Sequence, residues 1–206
     1  MAKSGKSIPD ASMTGAVTSW RRILPKFSAT DLMVIVGLAV VLTILKTVWG
    51  YVEAVISTLP WGAMFADYIY GVLVLCAAVA AFRVRKIGTN FLVNIIQGFA
   101  SLLLGAPMSV YMVIYAAGWG ITADAVMTAG LFRRKLVLFI VTGLLAGVIV
   151  GAMDVVFFRE WYLGMGGAFW LYTNWAARIL GGLTGYVLGF YFSKALTKAG
   201  VIPSET

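Results

Sequence analysis

Six ionisable side chains, Lys46, Glu53, Asp67, Asp124, Asp154 and Arg178, stand within or beside long apolar runs of this 206-residue chain. A charge at membrane depth is costly, so such residues turn inward, pair with one another and mark solute or proton routes. The helical rise of 1.5 Å per residue sets their heights above the nearest basic turns. By that rise Asp67 lies roughly 24 Å from Arg83, Asp154 about 28 Å from Lys135 and Arg178 about 24 Å from Lys194. Three charges from three different segments therefore share one layer. Asn94, Gln97 and Asp124 form a second layer at roughly 12 to 16 Å.

The first layer is also aromatic. Tyr70, Trp119, Trp170, Tyr172 and Trp175 fall at or near that height, with Trp49 and Trp61 in the adjoining connection. Flat rings flanking a few convergent polar groups suit a planar, polar heterocycle, especially a cationic one. An aromatic belt at the membrane interface accounts for Trp61, Trp161 and Trp170, whereas Trp119 falls well inside its segment and favours a pocket. Arg178 with Asp154 reads equally as a structural pair or a ligand contact. Lys46, Trp49 and Glu53 recur at i, i+3 and i+7 along one helix face. There Lys46 and Glu53 either close an outer vestibule or extend to the headgroups. Trp49, Glu53, Asp67, Tyr70, Asn94, Gln97, Trp119, Asp154, Asn174 and Arg178 are the candidate substrate-binding set.

Other chemistries find no support. The chain has no histidine, which removes the usual general base, proton relay and transition-metal ligand. Its one cysteine, Cys76, sits in an apolar run, so disulfides and cysteine-rich metal sites are excluded and no cofactor is expected. There is no Gly-x-Ser-x-Gly elbow or dense carboxylate cluster, so an enzyme would have to work with Asp67, Asp124 and Asp154 alone. Gly5-Lys6-Ser7 resembles the end of a phosphate-binding loop but does not follow a strand, so ATP-driven work requires partner chains.

The elements that must position these groups are transmembrane helices. Hydrophobic residues make up 61% of the chain and charged residues 12%, and the mean hydropathy of +0.94 lies far outside the soluble range. Six apolar segments fall at about 32–57, 66–82, 90–104, 109–131, 136–157 and 168–192, the third being short for a span of roughly 20 residues. Two ladders, Gly143/Gly147/Gly151 and Gly181/Gly185/Gly189, clear one face of the fifth and sixth segments. In lipid, close backbone approach of that kind drives helix association. The expected fold is an all-α membrane protein, a six-transmembrane-helix bundle. Residues 1–28 are read as a flexible basic tail, 29–198 as the membrane domain and 199–206 as a short C-terminal tail.

Basic residues set the orientation. Lys3, Lys6, Arg21, Arg22 and Lys26 precede the first segment, and Arg83, Arg85 and Lys86 follow the second. Arg133, Arg134 and Lys135 follow the fourth, and Lys194 and Lys198 the sixth, while the opposite loops offer Arg159 beside Glu160. The positive-inside rule then places both the N-terminus and the C-terminus in the cytoplasm. It also explains the net charge of +8 without nucleic acid.

From about residue 66 onward the sequence resembles the substrate-binding S components of energy-coupling factor (ECF) transporters, in particular the YkoE-type family. The likeness rests on an ordered series of fragments. These are Asp67-Tyr-Ile-Tyr70-Gly71, Arg85-Lys86-Ile-Gly88, Leu104-Gly105-Ala-Pro107, Ala123-Asp124-Ala125, Asp154, and Arg178 with its following glycines. The resemblance implies a multi-pass protein of a prokaryotic cell membrane that is not itself an enzyme. It implies capture of thiamine, hydroxymethylpyrimidine or a related vitamin-like heterocycle from outside. The partners it implies are a transmembrane coupling protein (the T component) and two cytoplasmic ATPases. It further implies a docking face of small residues on the first helix, for which Gly37, Ala39 and Thr43 are the candidates. Members of that family carry a glutamate where Asn94 stands, an amide residue where Ala106 stands and a glutamine near Trp119. The pocket expected here is thus more neutral and more aromatic. A stand-alone secondary carrier using membrane-embedded carboxylates is the alternative.

Overall fold

The structure is a computed structural model that describes residues 26–59, 61–106 and 109–202. Most of the tail expected at 1–28, and the last residues of the chain, lie outside that range. Among the described residues every regular element is an α-helix: α1 (Ala29–Ile56), α2 (Gly62–Leu73), α3 (Leu75–Val84), α4 (Thr89–Leu103), α5 (Ser109–Ala129), α6 (Leu136–Gly166) and α7 (Ala168–Lys198). Five stretches are long and apolar enough to cross a membrane: α1, α2 with α3, α5, α6 and α7. The 15-residue α4 falls short of that length, in keeping with its short apolar run.

Local chemistry fixes where helices begin and break. Ser28 and Asp31 form a capping box on α1: the Asp31 amide donates to Ser28 Oγ and the Ser28 amide to Asp31 Oδ2. Asp31 also holds Lys86 at 2.7 Å, tying the start of α1 to the α3–α4 turn. At the same end Arg85 Nε donates to the Phe132 carbonyl and Arg134 Nε to the Phe82 carbonyl. The basic turns thus satisfy carbonyls at helix ends, besides carrying topological charge. The second apolar segment is one span in two pieces. Its α-helical ladder tightens at Val74, whose amide donates to Gly71.

The fifth segment runs further than its apolar pattern. Arg159 and Glu160 read as loop residues, yet α6 continues to Gly166 and turns into α7 at Gly167, where φ is 78°. Each of these helices has 31 residues, about 46 Å. That exceeds a hydrocarbon core of roughly 30 Å, so polar residues can join the helix beyond it.

The two glycine ladders face different partners. A Cβ placed on Gly143 would lie 2.5 Å from the Gly182 carbonyl oxygen, and one on Gly147 2.7 Å from Ile179 Cα. These two rungs of the first ladder seat α6 on the α7 backbone. The third rung, Gly151, corrects the expectation. A Cβ there would run first into the indole ring of Trp175, a side chain of α7. The Trp175 Nε1 donates to the Val148 carbonyl at 3.1 Å, which holds the pyrrole edge of the indole against α6 one turn from Gly151. Gly151 thus makes room for a tryptophan ring where Gly143 and Gly147 make room for backbone.

The second ladder makes backbone contact along its length. A Cβ on Gly181 would strike the Tyr68 carbonyl oxygen. One on Gly185 would lie 2.6 Å from the Gly71 carbonyl oxygen, and one on Gly189 2.9 Å from the Leu75 carbonyl oxygen. This ladder therefore seats α7 on α2 and α3. Helix α7 runs between two walls, touching backbone on both sides.

Two cores fill the remainder. Phe82, Trp119, Phe139, Tyr186 and Phe190 anchor one among α3, α5, α6 and α7. Ile35, Ala39, Leu42, Cys76, Ala80 and Val93 form the other among α1, α3 and α4. This corrects the docking face expected on the first helix. Ala39 is fully buried and Thr43 is buried with its hydroxyl donating to the Ala39 carbonyl, so neither is available to a partner; Gly37 alone of the three is exposed.

Candidate functional site

The layer of charges anticipated from helical rise closes into a single cluster. Arg178 on α7 reaches Asp67 on α2 at 2.7 Å and Asp154 on α6 at 2.8 Å, with a further contact to Asp154 at 3.3 Å. All three are buried. The planar guanidinium suits this task, because its fixed fork of donors can address two carboxylates at once. Tyr115 from α5 donates its hydroxyl to Asp154 Oδ1. The Arg178 guanidinium also lies over the Tyr115 ring at 5.0 Å and the Tyr70 ring at 5.9 Å.

This cluster forms one wall of a cavity enclosing about 700 Å³ of atom-free space, counting the space at its mouth. Lys46, Glu53, Asp67, Tyr70, Gln97, Tyr111, Met112, Tyr115, Trp119, Asp154, Phe158 and Arg178 line it, drawn from α1, α2, α4, α5, α6 and α7. Trp119 is 2% exposed and presses its ring edge against Gly182, so the α7 backbone sets the position of that wall. The Tyr70 hydroxyl sits beside the Glu53 carboxylate. Gln97 donates to Ser101 at 2.9 Å while its carbonyl oxygen has no hydrogen-bond partner among the described residues.

Seven of the ten candidates thus meet at one cavity: Glu53, Asp67, Tyr70, Gln97, Trp119, Asp154 and Arg178. Three lie elsewhere. Trp49 packs edge-on against Phe65 and donates to the Ala66 carbonyl, bracing α1 on α2. Asn94 donates to the Asn90 carbonyl and Asn174 to the Trp170 carbonyl, each one turn back along its own helix. Both amides are buried outside the cavity lining.

Sequence reasoning missed Tyr111, Met112, Tyr115 and Phe158 as wall residues. Tyr111 and Tyr115 are one turn apart on α5, eight and four residues before Trp119, so a helical stripe leading to the singled-out tryptophan was the available signal. Lys46, which the sequence left between a vestibule and the headgroups, is 5% exposed and lines the cavity. Asp124 is not among the residues that line the cavity. It accepts from the Asn90 amide at 3.1 Å, the Asn90 side chain at 3.0 Å and the Phe91 amide at 2.9 Å. The N-cap of α4 is Gly88, which offers no side chain, so a carboxylate from α5 caps that helix instead. Tyr186 on α7 completes the arrangement by donating to Asn90 Oδ1.

Comparison with known proteins agrees with this architecture. Residues 30–153 match a family described as "ABC-type cobalt transport system, permease component". Among solved structures, "Crystal structure of an S-component of ECF transporter" superposes with a TM-score of 0.74 at 20% sequence identity. That match covers 85% of this chain and 88% of the other, which establishes a shared fold. No curated protein matches the sequence significantly.

Proposed function

The chain belongs to the family of ABC-type cobalt transport system permease components, and from that membership and its polar cavity we propose that it is the substrate-capture subunit of an ECF-type uptake transporter. One observation carries this reading. A cavity inside an apolar bundle gathers five ionisable side chains and five aromatic rings from six helices, a concentration that packing alone does not require. The S-component fold of a structure spanning most of this chain supports it further.

The cargo we propose is a small heterocycle of the thiamine or hydroxymethylpyrimidine type, or a relative of it. Aromatic walls from Tyr70, Tyr115, Trp119 and Phe158 suit a flat ring, and the polar groups between them suit ring nitrogens and their substituents. The family description names cobalt, but the lining fits a bare divalent cation poorly. Among the described residues no group of three or more histidine, cysteine, aspartate or glutamate side chains could hold a metal ion. Asp67 and Asp154 both face Arg178, and Lys46 adds a second positive charge. In this reading six helices cross a prokaryotic cell membrane, both termini are cytoplasmic, and a T component with two ATPases completes the transporter.

Thermal stability of the purified protein in nanodiscs, measured against a vitamin panel, tests the proposal. A ligand that binds only the folded state raises stability by about 2.7 kcal/mol at a concentration one hundred times its Kd. One heterocycle should raise the melting temperature, and co-expressed T component and ATPases should co-purify. No response across the panel together with no co-purification would overturn the proposal.

A further inference from the structure

Of the five ionisable groups lining the cavity, three satisfy one another: Arg178 with Asp67 and Asp154. Lys46 does not join them. It is 5% exposed, and among the described residues it has neither an ion pair nor a hydrogen bond. Glu53, on the same helix, likewise makes no ion pair among the described residues; the Tyr70 hydroxyl sits beside it and Arg178 acts on it only at longer range. The two stand seven residues apart on α1, which separates them by about 10 Å along the axis. They therefore enter the cavity from two heights on α1, and among the described residues no ion pair joins them.

A second unfinished group lies at the Lys46 pole. Thr47, the next residue on α1, meets Ser101 of α4, and Ser101 accepts from Gln97 Nε2 at 2.9 Å. That chain brings Gln97 to the level of Lys46. The Gln97 carbonyl oxygen, on a side chain 1% exposed, has no partner and belongs to the cavity lining. Buried amides ordinarily satisfy both ends, and a buried ammonium ordinarily has a counter-charge. A donor and an acceptor left open in one cavity describe the ligand that would complete them.

We propose that Lys46 and Gln97 form one end of the substrate site and select a molecule bearing an oxyanion, a carboxylate or phosphate. The oxyanion pairs with the Lys46 ammonium. An N–H or O–H of the same molecule donates to Gln97 Oε1, and its far end donates to Glu53 about 10 Å away. The inference rests on the capture reading and narrows its cargo from any flat heterocycle to an anionic one.

The test uses matched compounds on the intact protein in nanodiscs. These are 4-amino-5-hydroxymethyl-2-methylpyrimidine, its 5-carboxylate analogue and its phosphate ester, with thiamine and thiamine monophosphate as a longer pair. Wild-type protein should bind the carboxylate, a phosphate ester, or both at least 10-fold more tightly than the uncharged or cationic parent. The two kinds of oxyanion identify which source the site takes. Lys46→Met, which keeps the aliphatic stem, should abolish that preference, and Lys46→Arg should retain it. Without ligand, Lys46→Met should melt no lower than wild type, because it removes an uncompensated buried charge. Equal binding of parent and oxyanion, a preference that survives Lys46→Met, or a lower melting temperature for that variant would each overturn the inference while leaving capture intact. Silence from every compound, with no T component co-purifying, would overturn the capture reading itself.

Discussion

Replacing Asp124 by alanine should destabilise the bundle at a site remote from the cavity. The carboxylate accepts three hydrogen bonds, two from the Asn90 and Phe91 amides in the first turn of α4 and one from the Asn90 side chain. Asn90 is fully buried and Asp124 is 7% exposed, so water cannot substitute freely. Each stranded buried donor costs roughly 1–3 kcal/mol, and three together about 3–6 kcal/mol once partial rearrangement is allowed. A chain of this size shifts by about 2–4 °C per kcal/mol, which places the expected fall in melting temperature at about 6 °C or more. Asp124→Asn keeps one acceptor oxygen and should cost only about 1–2 kcal/mol. The assay is thermal unfolding in a fixed detergent or nanodisc, read by tryptophan fluorescence. A melting temperature for Asp124→Ala within about 2 °C of wild type, against the expected fall, would refute the capping argument. So would an asparagine variant as damaged as the alanine one. A normal melting temperature with lost transport in Asp124→Asn would instead make the residue a proton site and revive the secondary carrier.

Other outcomes follow from the same geometry. Gly185→Leu should collapse folded yield in size-exclusion chromatography, since its Cβ would meet the Gly71 and Val72 carbonyl oxygens at 2.6 and 2.8 Å, neither able to yield; normal yield would refute the seam between α7 and α2. Arg178→Ala should cost about 3–5 kcal/mol in denaturant unfolding by leaving Asp67 and Asp154 facing each other without a counter-charge, and a smaller loss for the triple change Asp67→Asn, Asp154→Asn, Arg178→Ala would confirm that cause. Trp119→Ala should leave a folded bundle, less stable by about 3–5 kcal/mol, that binds its substrate at least about 10-fold more weakly by calorimetry. Unchanged affinity would assign this ring to packing.

The charge layer was legible in the sequence because helices at membrane depth are regular. Counting a fixed rise from basic turns placed Asp67, Asp154 and Arg178 at one height, and they are in contact. Height carries no information about azimuth, however. Asn94 and Gln97 are three residues apart on α4, yet Gln97 lines the cavity and Asn94 does not. On α1, α5, α6 and α7 low amphipathicity also hides the inward face, since lipid and core are both apolar. That is also why Ala39 and Thr43 passed for an outer surface while being interior. Asp124 was recognised as a buried carboxylate, but its role depends on Gly88, 36 residues earlier, failing to cap its own helix. No local pattern reports such a partner. Glycine spacing marked both seams of α7 but not which neighbour each would meet. Nor could spacing tell Gly147, which admits a backbone, from Gly151, which admits the Trp175 ring.

Because α7 is gripped by backbone on two sides, the height of Arg178 is set by main-chain contact and not by any adjustable rotamer of its neighbours. The slab made of α2, α6 and α7 is therefore intolerant of change, whereas α1, α4 and α5 contribute Lys46, Gln97, Tyr111, Met112 and Trp119 from the other side. Substitutions on the second wall would then reshape the cavity while leaving the arginine and its two acids seated where the backbone holds them.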